Sequence, residues 1–205
     1  MKVLPYAKPA QSVRGRPRAF DEEQFLDGAI ELFRRRGFSG VSISDITAAT
    51  GLTTGSVYKA YKDKEGVFAK ALARYVALRQ QQLNARLAEA KNGKAKIAQL
   101  LRDYVELSQG RDGKLGCMVV AGVTHIDQLG AVGPCLTQQL AERRAALLAL
   151  IEQGQQDGSI ASNTDARITA EILLALLQGM RVVGKAEILT ADGEAFVAQA
   201  LKLLG

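Results

Sequence analysis

The residues best suited to chemistry form one short run: Thr54, Gly55, Ser56, Tyr58 and Lys59, shortly after a glycine at position 51. Two short helices joined by a tight turn at Gly51 have the layout of a helix-turn-helix, which presses the start of its second helix into a DNA groove. Thr53 or Thr54 begins that second helix. The small polar side chains at Thr54, Gly55 and Ser56 suit a helix end held against base edges and phosphates rather than packed on protein. The expected chemistry is recognition through hydroxyls that donate or accept hydrogen bonds.

A second candidate lies ahead of the first helix. Residues 1 to 20 hold five bases, Lys2, Lys8, Arg14, Arg16 and Arg18, and no acid. Pro17 disfavours helix at Arg16, so the stretch from Arg14 to Arg18 can lie extended, and arginines in a narrow minor groove read its shape. A solvated tail accounts for the same residues without DNA. Two side chains further on could sense rather than read. Cys117 follows Gly116 at an expected helix start, where a helix N-terminus favours the reactive thiolate. A buried small hydrophobe is the plainer reading of it. His125 is the only histidine and could meet a ligand, or be a satisfied imidazole. Without clustered Cys, Asp or Glu at ligand spacing, no metal site and no cofactor are expected. Cys135, beside Pro134, reads as packing. No nucleophile elbow, phosphate loop, metal box or Ser, His and Asp set is evident, so catalysis is not expected.

Helices alone must position these groups. Ser42 is placed as an N-cap with Asp45 completing a capping box, and Val41 and Ile46 as the flanking hydrophobic staple. Ile46 and Ala49 are expected to face inward, with Ala48 leaving room for the next helix. Gly51 supplies a left-handed stop. Upstream, Asp21 and Gln24 open a first helix between the staple residues Phe20 and Phe25, with Phe25, Ala29, Leu32 and Phe33 as its buried stripe. Arg34, Arg35 and Arg36 load its last turn, in contact with phosphate or as solvated charge at the dipole's negative end, and Gly37 stops it.

Downstream, Asp63 caps a long fourth helix to about Ala90, with Val67, Phe68, Ala71, Leu72, Tyr75, Leu78 and Leu83 inside. A fifth helix ends near Gly110, and residues 110 to 116 read as a polar, glycine-punctuated loop. Helices are then expected over about 117 to 128, 134 to 156, 165 to 186 with Thr164 as cap, and 190 to 204. No strand alternation occurs, so the fold class is all-α. Two of these helices are apolar around much of their circumference, through Leu136, Leu140, Leu147, Leu148, Leu150 and Ile151 on one and Ile168, Ile172, Leu173, Leu176, Leu177 and Met180 on the other. With Gly179 permitting close approach, they suit a four-helix interface between two copies, or the core of a monomer.

Composition bounds the class. A chain of 205 residues, 47% hydrophobic, without tryptophan and with four prolines, can bury a helical core. No apolar run reaches the length of a membrane span, and the N-terminus lacks a signal peptide's apolar core. Two cysteines suit a reducing compartment, so a cytoplasmic location is expected.

From Phe20 to about Tyr75 the chain resembles the N-terminal DNA-binding domain of the tetracycline-repressor (TetR) family of transcriptional regulators. The resemblance is carried by Arg-Gly-Phe at 36 to 38, Ile-Ser-Asp-Ile at 43 to 46, Gly-Leu-Thr at 51 to 53, Ser-Val-Tyr-Lys at 56 to 59 and Asp-Lys-Glu at 63 to 65. It implies a basic arm over residues 1 to 19, a three-helix DNA-binding domain over 20 to 66, and a regulatory and dimerisation domain over 67 to 205 reached through the long fourth helix. About nine helices or more are expected in all.

By alignment with the family motif, Ser42 and Ser44 approach phosphates, Thr54, Gly55 and Ser56 face the major groove, and Tyr58 and Lys64 bind phosphate. Lys59 reaches a guanine or a phosphate, with Arg16 and Arg18 in the arm. Tyr61 falls in the core, where the family more often has Phe. The implied partners are a palindromic double-stranded operator, a second copy of the chain and an unidentified small-molecule effector. No membrane is implied. A cysteine after a glycine at the start of this helix also looks like one subgroup that responds to electrophiles and oxidants, with Lys185 beside the thiol. The expected protein is a ligand-responsive repressor, released by a small molecule or by modification of Cys117.

Overall fold

The computed structural model describes residues 21–205, so the basic arm with Arg16 and Arg18, and the staple residue Phe20, lie outside the described residues. Helix α1 (Glu22–Arg36) opens at Asp21, whose carboxylate accepts the Gln24 N–H, and stops at Gly37, where φ is 72°. Helices α2 (Ile43–Thr50) and α3 (Thr54–Tyr61) follow, joined through Gly51 in the left-handed conformation at φ 74°. Helix α4 (Lys64–Ala88) begins on Asp63, which accepts the Gly66 N–H. These starts and stops follow the sequence reading closely, because each is set by residues within four positions of one another.

Long-range packing then departs from it. Helix α5 (Gly93–Ser108) is capped by Asn92. Residues 110 to 115, expected as a loop, form a short helix α6 (Gly110–Leu115). An added Cβ at Gly113 would sit 2.4 Å from the carbonyl oxygen of Ser108, just upstream, and 3.2 Å from that of Gly184, so the tight turn and its packing admit no side chain there. Helix α7 (Met118–Val123) is shorter than expected, and single 3₁₀ turns at Ile126–Gln128 and Gly130–Val132 lead into α8 (Gly133–Gln156). Helix α9 (Ala166–Lys185) is capped by Asp165 rather than Thr164; the Thr164 hydroxyl donates instead to the Leu204 carbonyl. Helix α10 (Gly193–Ala200) and a closing 3₁₀ turn (Leu201–Leu204) end the chain. The described residues are all-α.

Two apolar cores meet along α4. The first joins α1 to α3 with Val67, Phe68, Ala71, Leu72 and Tyr75, and reaches Met118 and Leu136 from α7 and α8. Phe33 and Phe68 meet edge to face at 5.0 Å and Phe25 stacks on Tyr61 at 4.9 Å, each pair adding about 0.5–1.5 kcal/mol beyond simple burial. Tyr61 is therefore a core ring, its hydroxyl donating to Glu22. The second core takes Leu83 from α4 and closes α5, α8, α9 and α10 around Ile97, Leu101, Leu147, Ile151, Leu173 and Leu177. Leu78, expected inside, is exposed, and so is Ala49; Ile46 alone from α2 is fully buried.

Candidate DNA-reading surface and effector cavity

The expected capping box closes fully. The Ser42 hydroxyl accepts the Asp45 N–H while Asp45 accepts the Ser42 N–H at 2.9 Å. Asp45 also takes the Ser42 hydroxyl at 2.6 Å and Arg36 at 2.9 Å. These partners, the Ser42 hydroxyl first, hold the Asp45 carboxyl down at about 2, so it stays ionised. Ser42 is thus occupied as a cap. Ser42→Ala should cost about 1 kcal/mol of stability, read as a lower midpoint in urea at unchanged slope.

Helix α3 presents the face that the sequence singled out. Thr53 caps it, accepting the Ser56 N–H, and its hydroxyl lies 2.9 Å from the Ser56 hydroxyl. Val57 and Tyr61 turn inward, leaving Thr54, Gly55, Ser56, Tyr58 and Lys59 exposed together, with Ser42 and Ser44 exposed nearby on the α2 side. Tyr58 is 51% exposed, a large ring left outside the core. Lys64 is placed differently from a free cation. Its ammonium donates to the Phe38 carbonyl at 3.1 Å and lies 4.1 Å from the Phe38 ring centre, which fixes the start of α4 against the turn that follows α1.

Behind this head the structure gathers the sensing candidates. Cys117, His125 and Lys185 line one open cleft of about 470 Å³ between the end of α1, α7 and the end of α9. His125 Nδ1 lies 3.1 Å from the Ala121 carbonyl, to which it can only donate. Lys185 does not bond the thiol: its ammonium donates to the carbonyls of Arg34 at 2.7 Å and Arg35 at 3.2 Å, closing the last turn of α1. Burial, then the Arg34 charge, lowers the Lys185 pKa. The partner of the half-buried Cys117 sulfur is the Tyr75 hydroxyl, at 3.8 Å. Cys117 also reaches a second, narrower cavity of about 60 Å³ inside the body, walled by Tyr75, Arg79, Tyr104, Leu140, Arg143 and Arg181 among others.

The sequence of this head and body matches known proteins throughout. The profile of bacterial regulatory proteins of the tetR family covers residues 25–71, and that of the tetracyclin repressor-like C-terminal domain covers residues 93–196. The chain belongs to the TetR family. It is a DNA-binding transcriptional regulator of that family. Among its relatives is the HTH-type transcriptional repressor ComR of Escherichia coli (strain K12), 29% identical over 82% of this chain and 81% of that one. Another is the repressor BdcR of the same organism, 31% identical over 58% of this chain and 61% of that one. Among solved structures, a cysteine-substituted TetR-family regulator CifR, in complex with 26-base-pair operator DNA, superposes with a TM-score of 0.82. It is 30% identical, covering 93% of this chain and all of that one.

One part of this TetR-family regulator's machinery was invisible in the sequence. Arg34, read as surface charge, is buried, donating to the Gly116 carbonyl at 2.8 Å and to the Asp112 carboxylate at 2.7 Å. Arg79 reaches the same Asp112 oxygen at 3.0 Å, and buried Arg181 donates to the Gly116 carbonyl at 3.1 Å. Head and body are joined through this network. Burial raises the Asp112 pKa, but its bonds to Arg34 and Arg79 outweigh that and leave it below the usual value. A depressed folded-state pKa stabilises above the unfolded value near 4 and is lost as pH falls through the folded one. Thermal unfolding followed from pH 5 to pH 3 should therefore fall less steeply in Asp112→Asn than in the parent.

Proposed function

We propose that the chain is a ligand-responsive repressor that binds a palindromic operator as a homodimer. It releases DNA when a small molecule enters the body or when Cys117 is modified. The observation that carries the reading is the exposed set of Thr54, Gly55, Ser56, Tyr58 and Lys59 on a capped helix whose other face is locked into the core. Ser42 and Ser44, with the start of α2, take phosphates, Lys64 offers its remaining N–H groups to another, and Arg16 and Arg18 follow the minor groove. Residues 20 to 66 read DNA and residues 67 to 205 pair and regulate. The protein acts in the cytoplasm by binding, not by turnover.

Dimerisation is supported by the outer face of α9, where Ile168, Ile172 and Val182 are exposed. Leu147, Ile151, Leu173, Leu177 and Met180, which the sequence grouped with them, instead close the protomer's own core. Among the described residues no helix is long and apolar enough to cross a membrane. The decisive experiment is selection of duplexes from a random pool at moderate salt, followed by fluorescence anisotropy. A palindrome bound by two chains, with affinity falling steeply as salt rises, is the expected result. No preference over random competitor would sink the reading. For the thiol arm, Cys117→Ser should abolish release by electrophiles such as N-ethylmaleimide; release unchanged in that variant removes Cys117 from the mechanism.

A further inference from the structure

The narrow cavity in the body carries an unusual excess of guanidinium groups. Three arginines, Arg79, Arg143 and Arg181, line it against a single carboxylate, Asp103. That carboxylate is already held by Arg86 at 3.0 Å. Arg79 shares the Asp112 oxygen with Arg34. Arg181 is only 3% exposed, yet its bonds go to neutral acceptors: the Ser108 hydroxyl and the carbonyls of Asp112 and Gly116. Arg143 donates to the Gln80 amide oxygen at 3.2 Å. Among the described residues, neither Arg143 nor Arg181 stands in an ion pair. The Asp103 charge is felt by Arg79 and Arg143. The buried Arg181, however, bonds only neutral groups, an unfavourable state for a charge, so an anion entering beside it gains what the protein's own carboxylates do not supply.

The remaining walls narrow the choice of anion. Val76, Leu83, Leu107 and Leu140 make one side apolar. Burial raises the pKa of Tyr104, and burial followed by the nearby Cys117 pushes Tyr75 up to about 12, so both phenols keep their protons. The Tyr75 proton points to the Cys117 sulfur and would have to turn to meet an anion. A planar, monovalent acceptor fits a guanidinium fork in two parallel bonds, and a short apolar body fits the aliphatic wall. The free volume of about 60 Å³ admits only a small molecule unless the helices part.

We propose that the effector taken by this cavity is a small monocarboxylate, its carboxyl group held between Arg143 and Arg181 and its apolar end against Leu83, Leu107 and Leu140. The inference rests on the reading of the body as an effector domain but not on DNA binding. It is tested on the full chain without DNA, by thermal shift and calorimetry with butyrate, benzoate, their amides butyramide and benzamide, and inorganic phosphate. At least one acid should raise the melting temperature and bind ten times or more tightly than its amide. Arg143, half-buried on α8 with one neutral partner, is the residue to change: Arg143→Gln should abolish the preference for acid over amide, and Arg143→Lys should keep part of it. Circular dichroism confirms that both variants fold.

Four results overturn the proposal. They are amides binding as well as acids, phosphate binding more tightly than any carboxylate, Arg143→Gln retaining the preference, or neither acid binding. Operator binding measured on the same preparation separates the two ideas. Intact operator binding with no acid bound rejects the ligand class alone, whereas lost operator binding with acid bound rejects the DNA reading and leaves the cavity assignment standing.

Discussion

Gly55→Leu should leave the protein folded and strip it of its operator. A Cβ added at Gly55 meets nothing within 4 Å, so no neighbour has to move. The position lies at the second residue of α3. Replacing glycine within a helix gains roughly 0.5–1 kcal/mol of conformational entropy, so the melting temperature should hold or rise. The same side chain would occupy the space through which base edges approach the start of the reading helix. Losing about 2 kcal/mol at each of two half-sites weakens binding roughly a thousandfold. Anisotropy on the selected palindrome, beside a melting curve, separates the two effects. A variant that melts as the parent and still binds the palindrome within a few fold would show that α3 does not enter the groove.

Ile172→Glu combined with Val182→Glu attacks the other requirement. Both residues are about half exposed in the isolated protomer, at 45% and 54%, and with Ile168 they mark one side of α9. Gly179 lies on that side, with nothing within 4 Å of where its Cβ would be. Since these side chains are not in the protomer's core, the variant should fold. Four carboxylates brought into an apolar interface without partners cost several kcal/mol each. Light scattering after gel filtration should show a monomer at micromolar concentration, and operator affinity should fall at least a hundredfold, since one head alone makes half the contacts. A dimer of unchanged mass would move the pairing surface elsewhere.

What the sequence revealed is what short-range chemistry decides. The capping box of Ser42 and Asp45, the left-handed Gly51 and the Asp63 cap are each fixed by neighbours within a few residues, whereas the core place of Tyr61, which stacks on the distant Phe25, was legible only through the family resemblance. The turn between α3 and α4 was less legible, because Lys62 adopts a positive φ of 71° where glycine would have announced it. The body hid more. Arg34 could not be told from Arg35 and Arg36 because its partners, Asp112 and Gly116, lie about eighty positions away in the chain. Helix α6 was missed because Gly110 and Gly113 argue locally for a loop while packing against Ser108 requires a small residue there. On α8 and α9, a helix apolar on two faces gives no sign of which leucine serves its own core. Only burial separates Leu173 from Ile172.

The bonds from Lys185 to the last carbonyls of α1 give helix α9 two duties. In the proposed dimer its outer face would lean on the second copy, while its final residue holds the last turn of α1, the first helix of the head. If two copies pair through that face, the separation of the two heads follows from how two α9 helices cross. A substitution on that outer side that leaves pairing intact but alters the crossing would change which half-site spacing the protein prefers, with every base-contacting side chain untouched.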